Sequence, residues 1–298
     1  MKSTNKLTLL VDGENILHQS FHKFEKLRST DGKPSGAIFG FFKSLHMYLT
    51  RFEPSNVIIS FDNGHSPFRV ELNPNYKIHR KDISYDRESL QIQKGIILSI
   101  LGMLRVSYIF DKRKSTNYEG DDFLTKLAID NAKDGKVILV SSDKDFNQLL
   151  TYKGIKIYNP RKDTYVNARN CKELFGYTPE ETVPYLCMVG DTSDDIPGIK
   201  GRGPVKARNI LDANPDFWSY VKSLPEDQQE ILNKNRKLID LKYFIDTFSD
   251  VDIPIKTYKS KDIKLMKFKE ICIEYSFSSF MTNEFMNPFN KLNSNERK

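Results

Sequence analysis

Three short apolar runs, each followed by an aspartate, constrain the fold of this chain more than any other feature. The runs and their acids are LTLLV (7–11) with Asp12, VIISF (57–61) with Asp62, and VILV (137–140) with Asp143 and Asp145. Continuous β-branched runs separated by helical stretches favour parallel strands that are buried on both faces. Ligands of open α/β sheets bind beyond the carboxyl ends of the strands. We therefore expect these four aspartates to meet at one edge of a mostly parallel sheet.

A second acidic cluster lies in NYEGDDFLTKLA (117–128), where Glu119, Asp121 and Asp122 fall within four consecutive positions. The apolar residues that follow recur at helical spacing, so the acids precede a helix. Acids are favoured at helix N-termini as caps and as partners of the helix dipole, and this is the structural alternative to a site. One acid is sufficient for a cap, so capping leaves two of the three unexplained.

The candidate ligands are carboxylates without clustered His or Cys, and such ligands favour hard divalent cations. Two carboxylates about 4 Å apart repel each other by about 4 kcal/mol at an effective dielectric constant near 20. The five histidines form no cluster, and Cys171, Cys187 and Cys272 are scattered, so the sequence has no zinc-like spacing. Oxygen-only ligands indicate Mg²⁺, with Mn²⁺ as a substitute, and two such ions can clamp a phosphoryl displacement.

The stretch MVGDTSDDIPGIKGRGPVKARNIL joins further acids to a glycine-rich turn. Asp191 and Asp194 precede a turn whose glycines allow backbone N–H groups to face a phosphate, and a helix start follows. The pattern indicates a helix-hairpin-helix element, which contacts the nucleic-acid backbone rather than the bases. The alternative is an ordinary glycine turn between helices. The residues predicted to contact DNA here are Gly198, Lys200, Gly201, Arg202, Gly203 and Lys206.

The charge distribution indicates a polyanionic partner. The chain carries a net charge of +7 and has a pI near 9.0. Residues 77–118 hold nine Lys/Arg and four Asp/Glu, a difference of +5, so most of the excess lies in one segment. Most of these basic residues fit a solvated helix. For Lys77 and Arg80, which are close in sequence to Asp62 and Arg69, contact with a phosphate is the better interpretation.

The targeting signals expected of an exported or membrane protein are missing from the sequence. The opening MKSTNK leads directly into a short apolar segment without the apolar region of a signal peptide. The longest apolar stretch, 95–104, is too short to span a bilayer. We therefore expect a cytoplasmic protein with reduced cysteines, a monomer without membrane contact.

Taken together, the ordered motifs resemble the 5′-nuclease, or flap endonuclease, family, which includes the 5′–3′ exonuclease domain of bacterial DNA polymerase I and bacteriophage 5′-nucleases. The matching stretches are LLVDGEN, FDNGHSPFR, NPNYKIHR, YEGDD, SSDKDFNQLL and GDTSDDIPGIKGRGPVKARNIL, within residues 7–282. The resemblance implies an α/β fold with a central, mostly parallel sheet and helices on both faces. It implies a nuclease core over 1–175 with a helical arch at about 76–118, a helix-hairpin-helix subdomain with closing helices over 176–282, and a flexible tail over 283–298.

The resemblance also implies the activity: Mg²⁺-dependent hydrolysis of DNA that has a free 5′ end, as in 5′ flaps and nicked or RNA-primed duplexes during replication and repair. A polymerase or a single-strand binding protein would be a further partner, and K⁺ would bind at the hairpin. Lys77 and Arg80 would steer and polarise the scissile phosphate, and Arg69, Tyr76 and Lys81 would contact DNA. The implied metal ligands are Asp62, Glu119, Asp121 and Asp143 with Asp12 close by, then Asp145, Asp191 and Asp194, and Asp122 as an outer member.

Three positions depart from the family pattern. Gly120 stands where the family usually has alanine, which predicts a looser turn because glycine costs about 1 kcal/mol relative to alanine in a helix. Asp195 replaces a common asparagine and adds an acid beside the predicted metals. Arg202 replaces an apolar residue of the hairpin, where it can reach a phosphate.

Other functions compete with the nuclease. A basic DNA-binding module with a degenerate nuclease fold is opposed by the complete set of acids, and an RNA-cleaving relative of the same fold stays open. A haloacid-dehalogenase phosphatase requires Asp-x-Asp after the first strand, whereas this chain has Asp12-Gly13-Glu14. A primase/topoisomerase-type fold would not explain the hairpin or the basic segment.

Overall fold

The structure is a computed structural model that describes residues 6–62, 64–81, 86–113, 117–248, 252–258 and 262–295. Its strands are β1 (Leu7–Asp12), β2 (Asn56–Phe61), β3 (Ser107–Phe110), β4 (Lys136–Val140), β5 (Ile155–Asn159), β6 (Thr164–Val166), β7 (Gly190–Asp191), β8 (Ile196–Pro197) and β9 (Ile255–Lys256). All but β7 and β8 form one sheet, in the order β6-β5-β4-β1-β2-β3-β9.

The five central strands of the sheet are parallel, and the two edge strands, β6 and β9, pair antiparallel with their neighbours. From β1 the chain proceeds to β2 and β3 on one side and then continues with β4 and β5 on the other. The direction of winding therefore reverses between β1 and β4. In open α/β sheets a ligand-binding crevice forms at this reversal, outside the carboxyl ends of the strands.

Helices cover both faces of the sheet. They are α1 (Gly13–Lys23), α2 (Gly36–Phe52), α3 (Pro67–Leu72), α4 (Arg87–Leu104), α5 (Gly120–Ala132), α6 (Cys171–Phe175), α7 (Thr182–Val189), α8 (Pro204–Ala213), α9 (Phe217–Val221), α10 (Glu226–Ile239), α11 (Leu241–Thr247), α12 (Leu265–Glu274) and α13 (Asn283–Asn295). Three 3₁₀ helices add Ile78–Lys81, Asp145–Thr151 and Ser278–Met281.

The two faces of β1 belong to two hydrophobic clusters, as expected for a strand that is apolar throughout. Leu9 and Val11 belong to the first-face cluster, which includes α1, α2, α4, α12 and α13. Leu10 belongs to the second-face cluster, which includes α5 and the helices from α7 to α11. All three side chains are fully buried. The predicted mostly parallel sheet with helices on both faces is confirmed.

The predicted arch at about 76–118 is wrong for residues 87–110. This part forms α4, the crossover helix between β2 and β3, and β3 itself, which pairs in parallel with β2. Ile97, Leu101 and Leu104 of α4 are fully buried against the sheet, so the helix belongs to the core. Residues 82–85 and 114–116 of the predicted arch lie outside the described residues.

The predicted flexible tail over 283–298 is wrong for residues 283–295, which form α13. Phe285, Met286, Phe289 and Leu292 are buried in the first-face cluster, and their spacing is that of one helical face. The abundant Asn and Lys residues of this segment lie between these apolar positions and conceal the helical period. Residues 296–298 lie outside the described part of the chain.

The predicted boundary at 175/176 does not coincide with a break in the core. Helices α7 to α11 share the second-face cluster with α5 and the sheet. Further along the chain, β9 pairs with β3, and α12 and α13 return to the first face. Within the described residues, no helix combines the length and the apolar character required to cross a membrane.

Candidate active site

The acidic residues predicted at the sheet edge converge at the reversal between β1 and β4. Asp12 is the last residue of β1, and its Oδ2 accepts a 2.7 Å hydrogen bond from Ser141 Oγ, just past β4. Its Oδ1 accepts a 2.9 Å bond from the Asn15 N–H, so Asp12 also caps α1. Ser141 Oγ in turn accepts from the Asp143 N–H at 3.0 Å. The carboxyl ends of the two strands are thereby joined.

The N-terminus of α5 brings further acids to the same edge. The Gly120 N–H donates a 2.6 Å hydrogen bond to Asp62 Oδ1, which places the α5 start against the end of β2. A Cβ at position 120 would lie 2.6 Å from that oxygen. The predicted loosening at Gly120 is therefore not observed: this residue is buried, and its missing side chain lets the Asp62 carboxylate approach the helix N-terminus.

Two of the acids, Glu119 and Asp122, form what we call the compensated pair, because buried cations of the protein neutralise them. Arg69 binds Asp122 through two hydrogen bonds of 2.8 and 2.6 Å, and its guanidinium stacks 4.3 Å from the Phe244 ring centroid. Lys77 Nζ donates to Glu119 Oε2 at 2.7 Å. Burial alone would raise the pKa of Glu119, but Lys77 and Arg69 lower it to about 2.

These contacts bear on the predicted roles of Asp122, Arg69 and Tyr76. Asp122 does not lie at the open edge as an outer metal ligand, because both of its oxygens accept from Arg69 and one also accepts from the Glu119 N–H at 2.8 Å. Arg69 is 3% exposed and Tyr76 is 5% exposed, and both side chains are bound to acids of the site. The Tyr76 hydroxyl donates to Glu119 Oε2 at 3.1 Å and belongs to the interior of the site.

Lys77 lies inside the acidic edge. Its φ of +54° is left-handed, and its ammonium lies 3.7 Å from Asp194 Oδ2 as well as 2.7 Å from Glu119. Burial lowers the pKa of this amine, but Glu119 and other neighbours raise it well above the ordinary value, so Lys77 is a cation here. The side chains of Arg80 and Lys81, also predicted to act on DNA, lie outside the described part of the structure.

The segment that carries Lys77 is fastened to the loop after β7. The Lys77 N–H donates to the Asp194 carbonyl at 3.1 Å, and the Asn73 amide donates to the Asp195 carbonyl at 3.0 Å. Asp195 adopts a φ of +55°, and its Oδ2 accepts from the His79 N–H at 3.0 Å. Its carboxylate therefore binds His79 instead of adding to the acids at the edge.

Five other acids form what we call the uncompensated group: Asp12, Asp62, Asp121, Asp143 and Asp145. Burial, reinforced by the neighbouring carboxylates, raises the pKa of Asp12 to about 7 and that of Asp62 to about 6. The pKa values of Asp121 and Asp145 are raised well above the ordinary value for the same reasons, and that of Asp143 is also raised. These positions carry more negative charge than the surrounding protein neutralises.

The remaining predicted ligands, Asp191 and Asp194, lie close to Asp145, a member of this group. The Asp145 N–H donates to Asp143 Oδ1 at 2.9 Å, and Asp145 Oδ1 is a buried oxygen that has no hydrogen-bond partner among the described residues. Asp191 is 3% exposed, and its Oδ2 forms a 3.2 Å ion pair with Lys144. Apolar side chains of Phe146, Leu238 and Leu241 line the crevice beside Asp121, Asp145 and Asp194, and they make it partly nonpolar.

The donor set fits hard divalent cations, although the carboxylates are not arranged around one position. Among the described residues, no three Asp, Glu, His or Cys side chains already surround a common metal position. The carboxylates of Asp12, Asp62 and Asp143 point instead to donors of the protein. All donors are oxygens, one buried Asp145 oxygen is unpaired, and the raised pKa values indicate a deficit of positive charge, which are the features of a Mg²⁺ or Mn²⁺ site.

The glycine-rich turn joins two helices, α7 and α8, through the short antiparallel pair β7–β8. Gly198 is closely packed, since a Cβ there would lie 2.4 Å from the Val189 backbone, and Gly201 has a left-handed φ of +77°. Lys200 and Lys206 are exposed. Gly203 is exposed and caps α8, whereas Arg202 turns inward, where its Nη2 donates to Gln228 at 2.6 Å and its guanidinium lies over the Tyr220 ring.

Sequence reasoning missed one ion pair at this edge, between Glu14, which is partly exposed, and the buried Lys94. Lys94 Nζ donates 2.7 Å hydrogen bonds to Glu14 Oε2 and to the main-chain carbonyl of Asp62. Lys94 shares the buried face of α4 with Leu90, Ile97 and Leu101. A lysine within an apolar stripe at helical spacing is a signal that could have indicated a buried partner.

A family model and two similar proteins of known family carry the same description. The family model described as "5'-3' exonuclease, N-terminal resolvase-like domain" matches residues 7–176. A 5'-3' exonuclease of Aquifex aeolicus is 27% identical over 280 residues, which cover 93% of this chain and 94% of that protein. A 5'-3' exonuclease of Buchnera aphidicola subsp. Schizaphis graminum is 32% identical over 280 residues, which cover 89% of this chain and 94% of that protein.

Among solved structures, the D15 flap endonuclease of bacteriophage T5, in a complex with DNA and metal ions, is similar in fold. The TM-score is 0.67 at 21% sequence identity, and the match covers 92% of this chain and 100% of that one.

Proposed function

This chain belongs to the 5′–3′ exonuclease family, and on that premise we propose that it is a divalent-metal-dependent nuclease that hydrolyses phosphodiester bonds of DNA with a free 5′ end. The proposal covers 5′–3′ exonuclease and 5′-flap endonuclease activity in primer or flap removal. The observation that carries it is the uncompensated group at the winding reversal, where raised pKa values indicate missing positive charge beside a cationic Lys77.

The cations would be held in two places. Asp12, Asp62, Asp121 and Asp143 would hold one, and Asp145, Asp191 and Asp194 would hold another. Mg²⁺ or Mn²⁺ bound there supplies Lewis-acid activation of the phosphodiester and of the attacking water. Glu119 is better suited to a supporting role than to coordination, because Lys77, Tyr76 and the Ser66 N–H already engage both of its oxygens.

Lys77 is the residue that would contact the scissile phosphate. Its ammonium is held by Glu119, which lines the crevice, and lies 3.7 Å from Asp194, one of the proposed cation ligands. Exchanging the Asp194 contact for a phosphate oxygen keeps the stronger Glu119 bond and leaves the amine oriented. The apolar wall formed by Phe146, Leu238 and Leu241 limits bulk water on the far side of the acids.

The turn between α7 and α8 would hold the duplex backbone. Lys200 and Lys206 are exposed at this turn, and so are Gly203, Pro204 and Val205 at the start of α8, where the first N–H groups of a helix have no intrahelical acceptor. Such an element would bind phosphates without reading bases, and a K⁺ ion at the hairpin is part of the same proposal. Arg202 is not included, because its side chain is bound to Gln228.

The decisive experiment is cleavage of a 3′-labelled 5′-flap duplex by the purified protein with Mg²⁺ and with EDTA. The expected result is Mg²⁺-dependent cutting near the junction, lost in Asp143→Asn while DNA binding is kept. A parallel RNA-primed substrate tests tolerance of the 5′ strand. Salt-sensitive binding without cutting would replace the nuclease proposal with a DNA-binding module, and full cutting by Asp143→Asn would refute the assigned metal site.

A further inference from the structure

A lysine from the crossover helix α4 is built into the acidic edge from behind. Lys94 is 4% exposed, and its ammonium donates to Glu14 Oε2 and to the Asp62 carbonyl oxygen, each at 2.7 Å. The ring centroids of Phe61 and Phe110 lie 5.7 and 5.1 Å away. The charge is thus removed from water and fixed between two acceptors.

The carbonyl that Lys94 binds lies beyond the end of the strand ladder. The last β1–β2 partners are Asp12 and Ser60, and the last β2–β3 partners are Phe61 and Phe110. Asp62 therefore follows the final ladder pair, where a neighbouring strand does not hold the backbone. Its carboxylate is held by the Gly120 N–H at 2.6 Å and its carbonyl by Lys94, so the residue is fixed from two sides.

Glu14 has a different environment from the uncompensated acids, although it follows Asp12 by two positions. Its carboxylate lies between two nitrogen-bearing side chains, those of Lys94 and His18. Its Oε2 accepts from Lys94, and its Oε1 lies 3.5 Å from His18 Nε2. Glu14 is therefore neutralised by the protein, as the compensated pair is, and does not share the deficit of positive charge.

From this geometry we propose that Lys94 is a positioning residue for Asp62, and that Glu14 is the anchor of Lys94 rather than a cation ligand. The proposal rests on the proposed nuclease function, since Asp62 is one of the proposed cation ligands. Loss of the Lys94 bond would leave the backbone of Asp62 unheld on one side. Changes to such supporting contacts commonly cost about 10- to 100-fold in metal affinity or activity.

Two variants distinguish the positioning of Asp62 by Lys94 from a mere contribution of the Lys94–Glu14 ion pair to stability. Glu14→Gln removes the charge of the anchor but keeps the Lys94 bond to the Asp62 carbonyl. The double variant Lys94→Met/Glu14→Gln removes that bond without leaving a buried unpaired charge. We expect the double variant to show about 10-fold lower kcat with unchanged KM on the flap substrate, and about 10-fold weaker Mn²⁺ binding by electron paramagnetic resonance. For Glu14→Gln we expect kcat and Mn²⁺ affinity to stay within about 2- to 3-fold of the wild-type values. This change is smaller than the roughly 10- to 100-fold loss that removal of a supporting contact commonly causes.

Lys242→Met is the matched control, because it breaks an exposed ion pair with Asp246 on α11 and should change neither measurement. Thermal unfolding of each variant establishes that it is folded. Equal Mn²⁺ affinities for Glu14→Gln and the double variant would overturn the positioning role. If the wild type cuts no DNA, the nuclease proposal fails, but the Mn²⁺ measurement still decides whether Lys94 positions Asp62.

Discussion

The compensated pair and the uncompensated group lie at the same sheet edge and differ in the source of their positive charge. Glu119 and Asp122 are matched by Lys77 and Arg69, and the pKa of Glu119 falls to about 2. Asp12 is also buried but forms no ion pair within the described residues, and burial with nearby carboxylates raises its pKa to about 7. Burial alone therefore does not identify a cation site. The informative property is burial without an internal counter-charge.

The largest contrast is expected from Asp121→Asn and Glu119→Gln. Asp121→Asn should reduce cleavage by more than the ~100-fold that loss of a supporting contact can cause. It should nevertheless raise the melting temperature of the EDTA-treated protein at pH 8, because it removes a negative charge that repels Asp12 and Asp62. Glu119→Gln should lower that melting temperature, because it leaves Lys77 without its closest partner. Equal shifts of the same sign would remove the distinction between the two groups.

The next effect concerns the Arg69–Asp122 pair, in which both side chains are at most 3% exposed. Arg69→Met should lower the free energy of unfolding by about 3–5 kcal/mol, because it leaves a buried carboxylate unpaired. Arg69→Met/Asp122→Asn should recover most of that loss, since no buried charge remains. Urea denaturation measures both values, with Lys242→Met as the exposed control. A double variant as unstable as Arg69→Met would show that the guanidinium acts mainly through packing on Phe244.

A smaller effect is expected in the pH dependence of the stability of the EDTA-treated protein. The pKa values of Asp12 and Asp62 rise from 3.8 to about 7 and about 6 on folding, so the folded state binds more protons between these limits. The EDTA-treated protein should therefore lose stability as the pH rises from about 4 to about 7, by up to about 1.4 kcal/mol per pH unit for each group. Glu119, lowered from 4.5 to about 2, has the opposite sign and loses its contribution as the pH falls through that range.

Thermal unfolding between pH 4.5 and 8 tests this dependence. Asp12→Asn should flatten the loss of stability, and Mg²⁺ at pH 7 should offset it, since the ion supplies the charge that the protein lacks. A wild-type protein in EDTA whose stability rises steadily over the same interval would contradict the raised pKa values.

The smallest effect is expected at the turn between α7 and α8, which carries exposed positive charge instead of buried negative charge. Lys200→Ala and Lys206→Ala should each reduce the slope of log Kd against log salt by about 1 if each lysine contacts one phosphate. Cleavage at saturating DNA should change little, because both side chains are exposed on the turn and not among the proposed cation ligands. Fluorescence anisotropy with a flap duplex measures the slopes, and an unchanged slope in both variants would exclude this turn from the DNA contact.

Much of the fold and of the site was predictable from the sequence. The three apolar runs that end in aspartates predicted the parallel sheet and the convergence of Asp12, Asp62 and Asp143, because strand length and the rule for crossover connections leave little freedom. The tail over 283–298 was predicted wrongly because composition was given more weight than the helical spacing of Phe285 and Phe289. The arch was extended too far because scattered charge on α4 concealed its buried face.

The division of the acids was decided only by tertiary structure. Glu119 and Asp121 are two residues apart, yet one is bound by Lys77 and the other faces Asp12 and Asp62. Lys94 reaches Glu14 from a helix 80 residues away along the chain. The sequence by itself determined which residue types arrive at the sheet edge, because local pattern sets strands and helices. Which carboxylate receives a cation from the protein depends on distances of a few ångströms between remote segments, and the fold alone sets those distances.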